Sequence, residues 1–366
     1  MPIFIVGAPC SGQNALVAGL SLSPGLVNTS GTDFAEVAGV EIDPSTPEGD
    51  AVNAGSLSEV QIAEARCWTT DQLGEAAEKT GSPQVPLRTI GGLPRDSLRI
   101  GMLDAIFPDC RFVYVNRDPA EALTRMAAIW NAGTVVTHPG LPGWDGPEWT
   151  LPLIPDWAEL NGRPVDEVVQ AQWLSLTTTA FDALEQLSPD RWCVSDFSQL
   201  TGRLDDETQR LCRFLEMGWH AGVSRQVAAT LAAAEQEFAK LGLEEEIEPD
   251  GPVKAASDRA ISLIADTAPR KNPGAPEAGP RSTSTGTCPR SLRSWSRKAP
   301  TTPASCRASA ISPATSRSTT STSSATRSGW SRPASPAWPR STPPTTSCLG
   351  GPRLSSPKSP PATAAT

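Results

Sequence analysis

Apolar residues along the first 240 or so positions alternate between two arrangements, short continuous runs and longer stretches spaced by threes and fours. The run Pro2 to Val6 reads as a buried β-strand, as do Arg111–Asn116 and Arg191–Ser195. Helical spacing follows each of them. Gln13 to Ser21 predicts a short amphipathic helix with Leu16, Val17, Leu20 and Leu22 inward, ended by Ser23-Pro24-Gly25. Val60–Arg66 and Asp71–Lys79 have helical spacing, and Pro94 to Phe107 predicts one helix opened by its proline. Pro119 starts a helix to about Ala132; Pro164–Leu187, Asp205–Met217 and Ser224–Leu241 complete the set. Strands alternating with helices predict an α/β fold, a P-loop-like three-layer domain with a central parallel sheet and helices on both faces. Two stretches break the rhythm. Glu41–Gly55 is polar and turn-rich, an expected exposed loop, and Gly133–Leu160 is rich in Pro, Gly and Trp, the composition of a lid or binding loop.

The turn after the first strand carries the first candidate chemistry. It reads Gly7-Ala8-Pro9-Cys10-Ser11-Gly12-Gln13-Asn14. Gly7 and Gly12 allow backbone angles that other residues resist. Backbone N–H groups between them can face an anion, and the following helix adds the positive end of its dipole. The spacing is that of a phosphate-binding loop, but Gln13 and Asn14 stand where Lys and Ser or Thr would serve a nucleotide triphosphate and Mg²⁺. An ATP- or GTP-dependent reading is therefore disfavoured, and no metal is called for. The plain alternative is a tight turn without a ligand. Cys10 at a helix start is a candidate reactive thiol or a buried inert one.

Charge divides the chain. The first 270 residues hold 18 Lys and Arg against 39 Asp and Glu, whereas Lys271 onward holds 13 against the single acid Glu277. Residues 1–268 are expected to form one domain, and 269–366, built largely of Ser, Pro, Thr, Arg and Ala, a disordered tail. The abruptness of the change also suits a shifted reading frame; an intact frame on resequencing would sink that idea. The acidity of the front part argues against nucleic acid as a partner. No long apolar run calls for a membrane span, and the start lacks the pattern of a signal peptide. Eight cysteines without a C-x-x-C pair read as reduced thiols, pointing to the cytoplasm.

A second constellation follows the Arg111–Asn116 strand. Arg117 stands at its carboxyl end, where open α/β sheets bind ligands, and Thr124 lies two helical turns on. An Arg with a hydroxyl suits a phosphate; the plain alternative is an Arg117–Asp118 surface pair before a Pro-started helix. With the loop, this makes two anion positions. Over residues 1 to about 245 the chain resembles the sulfotransferases that use 3′-phosphoadenosine 5′-phosphosulfate, in particular a bacterial branch. The resemblance rests on Pro2-Ile3-Phe4-Ile5-Val6-Gly7-Ala8-Pro9 with Ser11-Gly12, and on Ser23-Pro24-Gly25-Leu26. It continues through Pro94-Arg95-Asp96-Ser97-Leu98, Phe107-Pro108-Asp109, Arg111 to Pro119, Pro139 to Trp144, Gln172-Trp173 and Pro189 to Cys193.

The resemblance implies that Ala8 to Asn14 hold the 5′-phosphosulfate, that Arg117 and Thr124 hold the 3′-phosphate, and that Trp144 lies near the acceptor. It implies in-line sulfuryl transfer to a hydroxyl or amine of a small acceptor, helped more by positioning and charge than by covalent catalysis. Polar positions depart from the family while apolar ones agree. The loop pattern Pro-Arg-Ser-Gly-Thr-Thr is met by Cys10, Gln13 and Asn14, and an expected Lys falls on Gly92. A Gly-Gly-Glu-Ser-His stretch is met by Ser30 to Phe34, and an Arg-Tyr-Glu-x-Leu stretch by Asp196 to Leu200. By position Asp33 and Glu36 are the candidate proton acceptors, with helix-start carboxylates as the plain alternative. His138 and His220 are the two histidines; the first could approach the pocket, and surface positions are the plain alternative. The rival to an active enzyme is a degenerate relative that keeps the fold as a binding domain or without function.

Overall fold

The computed structural model describes residues 1–80, 86–242 and 246–267. The chain divides into two units, Met1–Gly279 and Pro280–Thr366, and every described residue belongs to the first. The expected boundary at 268 and the tail beyond it lie outside the described residues.

The elements run β1 (Ile3–Val6), α1 (Gln13–Leu20), β2 (Leu26–Asn28), α2 (Phe34–Val37), α3 (Glu59–Thr80), β3 (Arg88–Gly91), α4 (Ile100–Ile106), β4 (Arg111–Asn116) and α5 (Pro119–Ala132). They continue as α6 (Val165–Leu184), β5 (Trp192–Asp196), α7 (Phe197–Gly202), α8 (Leu204–Phe214), α9 (Ala221–Leu241) and α10 (Gly251–Thr267). The strands form one parallel sheet in the order β2-β3-β1-β4-β5. β1 lies between β3 and β4, with Ile3 opposite both Ile90 and Arg111.

Both faces of the sheet are covered, which is why β1 and the middle of β4 and β5 are buried apolar runs. Phe4 and Val6, Phe112 and Tyr114, and Trp192 and Val194 face one side and pack with Phe34, Met102, Phe181 and Ala260. Their neighbours Ile3, Ile5, Val113, Val115 and Cys193 face the other, against Leu16 and Leu20 of α1, Leu211 of α8 and Val223 and Val227 of α9. Alternation along each strand thus feeds two helical layers. Because the chain leaves β1 for one flank and later fills the other with β4 and β5, a crevice opens at the carboxyl ends of β1 and β4.

Several expectations are corrected. Leu22 is 49% exposed, beyond the end of α1. The two helical stretches between 60 and 79 are one helix, α3. Pro94–Phe107 is a 3₁₀ turn, Pro94–Leu98, followed by α4, with the break at Arg99 (φ −129°, ψ 16°). Arg99 is wholly buried, and its guanidinium bonds to Asp33 and to the Asp50 carbonyl. The 41–55 loop is not all exposed, since Asp50 is buried. The Trp-rich stretch is not a loose lid. Leu141, Trp149, Leu153, Ile154 and Trp157 are core residues around Trp173 and Trp130. Gln172 fastens it from α6, donating to the Thr150 and Pro152 carbonyls and accepting from Trp130. β2, β3, α7 and α10 were not foreseen, the strands because Leu26–Asn28 and Arg88–Gly91 are short and mostly polar or small. Among the described residues no helix is long and apolar enough to cross a membrane.

Candidate functional site

The turns after β1, β4 and β5 converge on one crevice. After β1, Gly7 (φ +152°) and Gly12 (φ +100°) take the left-handed angles the sequence requires, and Cys10 joins them at φ +66°. A Cβ on Gly7 would lie 2.6 Å from the Val115 carbonyl oxygen and 2.9 Å from Ser11 Oγ. One on Gly12 would lie 3.2 Å from the Phe197 ring, at the start of α7. The loop is therefore pressed between β4 and α7.

Its polar groups are only partly free. The Gly7 N–H donates to Ser97 Oγ (3.0 Å), and that hydroxyl donates back to the Gly7 carbonyl. Gln13 Nε2 donates to the same carbonyl at 2.6 Å. So the Gln13 amide is turned into the loop, and Gly7 offers no N–H to a ligand. The first N–H groups of α1, including those of Gln13 and Asn14, have no partner within the helix. Ser11 is 2% exposed and its Oγ is buried without a partner. It lines a cavity of about 260 Å³ with Pro9, Cys10, Gly12, Gln13, Asn14 and Arg117. Ala8 lies behind the loop, buried, and is not part of the lining.

Arg117 closes the cavity from β4. Its Nη1 donates to the Cys10 carbonyl at 3.0 Å, its Nε to Glu121 at 2.9 Å, and its guanidinium stacks on Phe197 at 3.9 Å. Its Nη2 is 3.6 Å from Glu235 of α9, and Glu235 also accepts from Arg125 at 2.7 Å. α9 roofs the cavity with Leu231, Ala234, Glu235 and Phe238. Arg117 and the loop are thus brought together, as the sequence implied. Thr124 is not with them. Its hydroxyl donates to the Ala120 carbonyl (2.8 Å) and accepts from the Ile247 N–H (3.1 Å). Burial pushes the Cys10 thiol up to about 12, despite opposing pulls from Arg117 and Arg125, though the side chain is only half-buried.

The two carboxylates chosen as proton acceptors lie outside this lining. Asp33 caps α2 by accepting from the Ala35 N–H, and it also pairs with Arg99 (2.8 Å) and Arg95 (3.4 Å). It belongs to a buried cluster with Asp50 and His138, whose Nε2 is 3.3 Å from Asp50 Oδ1. Burial works against the Asp50 charge, but His138, Arg95 and the Leu153 N–H outweigh it and hold the carboxyl below its ordinary range. Asp33 is thus engaged by one backbone N–H and two arginines. Glu36 is exposed in the first turn of α2. His220 caps α9, its Nδ1 accepting from the Gly222 N–H. Trp144 packs on Trp149 and Trp130 rather than on the cavity.

Sequence reasoning missed Arg125, Glu235, Phe197 and Ser97. Arg125 carried a signal, a cation amid Leu123, Met126, Ala127 and Ala128 on a buried helix face. Glu235 carried none, since only the fold sets α9 over α1.

The model of the sulfotransferase family matches residues 2–221. The chain belongs to that family. Among solved structures it is similar to the sulfotransferase domain from the curacin biosynthetic pathway, with 13% identity and a TM-score of 0.41, covering 72% of this chain and 98% of that one. It is also similar to sulfotransferase STF9 from Mycobacterium avium (13%, TM-score 0.38, 73% and 76%). A third is mouse sulfotransferase SULT7A1 complexed with PAP (13%, TM-score 0.34, 64% and 64%). No curated protein matches the sequence. Within the sulfotransferase fold of this chain, the crevice bounded by the loop and Arg117 is the candidate site. Among the described residues no cluster of His, Cys, Asp or Glu could hold a metal ion.

Proposed function

We propose that this protein binds 3′-phosphoadenosine 5′-phosphosulfate in the crevice and transfers its sulfuryl group to a hydroxyl or amine of a small acceptor in the cytoplasm. The observation that carries the reading is Arg117 Nη1 at 3.0 Å from the Cys10 carbonyl, which joins two anion-binding elements distant in sequence around one cavity. The unpartnered Ser11 Oγ and the amides opening α1 suit the 5′ anionic groups. Arg117 suits the second phosphate. The nucleotide supplies an activated sulfuryl group; the chain orients it, answers its charge and excludes water. Burial, which raises the Cys10 thiol, argues against a nucleophilic part for it. Asp33 and Glu36 are given no role in proton transfer, for the placement described above.

A specific observation favours the second reading, a relative that keeps the fold without the activity. The Gln13 amide fills its own loop, and residues 7–14 contain no basic side chain. Calorimetric titration of the full chain with 3′-phosphoadenosine 5′-phosphate separates the two. Binding between about millimolar and micromolar, roughly −4 to −8 kcal/mol, lost in a folded Arg117→Ala variant, is the expected outcome. No heat of binding with folded protein would favour the second reading.

A further inference from the structure

Arg117 lines the cavity, Arg125 stands behind Glu235, and the chain already answers both cations. Glu235 sets one carboxylate oxygen 3.6 Å from Arg117 Nη2 and the other 2.7 Å from Arg125 Nη2. The arginine side chains are 5% and 11% exposed, whereas that of Glu235 is 45% exposed. A carboxylate spanning two guanidiniums is the arrangement an oxyanion ligand adopts with such a pair. The match is incomplete, because Arg125 Nη1 is buried without a partner. A phosphate carries a further oxygen for that donor. The Thr124 hydroxyl, the other group assigned to the second phosphate by resemblance, is engaged by the Ile247 N–H. The cavity left under α9, about 260 Å³, falls short of the roughly 300–1,000 Å³ usual for small-molecule sites. The chain's own C-terminal portion therefore occupies part of the space and the charge partners of the site.

We propose that Glu235 is an internal anion that sets the specificity of this crevice, competing with an incoming phosphate for Arg117 and Arg125. It rests on the reading of the crevice as a nucleotide's anion site. It implies that the second phosphate of the nucleotide binds more weakly than it would at an unpaired Arg117 and Arg125, because binding it means displacing a carboxylate already in place. Replacing that carboxylate with an amide of the same shape leaves Arg117 paired with Glu121 and removes the carboxylate that Arg125 meets.

The test uses the full chain and its Glu235→Gln and Glu235→Asp variants, each checked for a cooperative melting transition. Inorganic phosphate is followed by thermal shift; 3′-phosphoadenosine 5′-phosphate and adenosine 5′-phosphate are followed by calorimetry. Glu235→Gln is expected to bind inorganic phosphate about tenfold more tightly, the size of one charge-assisted contact. The doubly phosphorylated nucleotide should gain by a similar factor, and adenosine 5′-phosphate should change little. The shorter Glu235→Asp cannot span both arginines and should fall between, which keeps the test decisive if the amide variant fails to fold. Unchanged phosphate affinity in a folded variant overturns the proposal. Equal gains for both nucleotides overturn its assignment to the second phosphate. A gain for inorganic phosphate with no binding of either nucleotide upholds the internal anion and removes the nucleotide reading instead.

Discussion

Asp96 shows how a single side chain supports the site from behind. It is 1% exposed, and its Oδ2 accepts the Leu93 N–H at 2.7 Å, fixing the turn that presents Pro94 and Ser97. Its other oxygen has no partner. Burial lifts its carboxyl to about 7, with Arg99 and Arg95 offsetting part of the rise and Asp33 adding to it. A raised carboxyl means that the folded protein holds a proton the unfolded chain has released, from about pH 4 up to about 7. The stability contributed by Asp96 is therefore full below pH 4, falls as pH rises through that window and is lost above it. Asp96→Asn keeps the acceptor for Leu93 and cannot ionise. We expect urea denaturation to find the variant more stable than wild type at pH 8, by on the order of 3 kcal/mol, and nearly equal at pH 4. A difference independent of pH would show that the Asp96 carboxyl titrates alike in the folded and unfolded chain, and would overturn the raised value. At this scale the loop glycines were legible, since few residues besides Gly take their angles. The cluster of Asp33, Asp50, Arg95, Arg99 and His138 was not, because its members span more than a hundred positions and only the fold gathers them.

Among the elements, the seating of α9 on α1 matters most to the crevice. A Cβ on Gly19 would lie 2.3 Å from Val227 Cγ2 and 2.8 Å from the Val223 carbonyl oxygen. Gly19 is a helical residue whose lack of a side chain lets the two helices meet. Gly19→Ala must push α9 outward, and we expect a cost of about 1–3 kcal/mol, read as a lower melting temperature. Unchanged stability would mean that α9 shifts without resistance. Period and strand propensity made β1, β4, α1, α5 and α6 legible. They also made Pro94–Phe107 look like one helix, because apolar spacing does not register that Arg99 must turn inward to meet two aspartates. Likewise Trp residues among prolines and glycines have the composition of a lid or binding loop. The buried Gln172 that pins them sits on another element.

For the whole molecule, charge and site oppose one another. The first 270 residues carry 18 basic against 39 acidic side chains, while the candidate ligand is itself an anion. Glu121 and Glu235 cancel most of the local attraction of Arg117 and Arg125. The long-range field then governs approach, and it is repulsive. We expect the association rate of 3′-phosphoadenosine 5′-phosphate to rise as ionic strength goes from about 10 mM to about 150 mM, with the screening length shrinking from roughly 30 Å to 8 Å. Stopped-flow measurement decides this; a falling rate would mean that the buried arginines dominate at a distance. The acidity was plain in the sequence, but its conflict with the site was not, because Glu235 reaches Arg117 only through the fold.

The span matching the family ends at residue 221, where α9 begins at Ala221. α9, which roofs the crevice and carries Glu235, therefore lies almost wholly beyond the matched span. A change in α9 can then alter what the crevice admits without touching the sheet or the turn after β1.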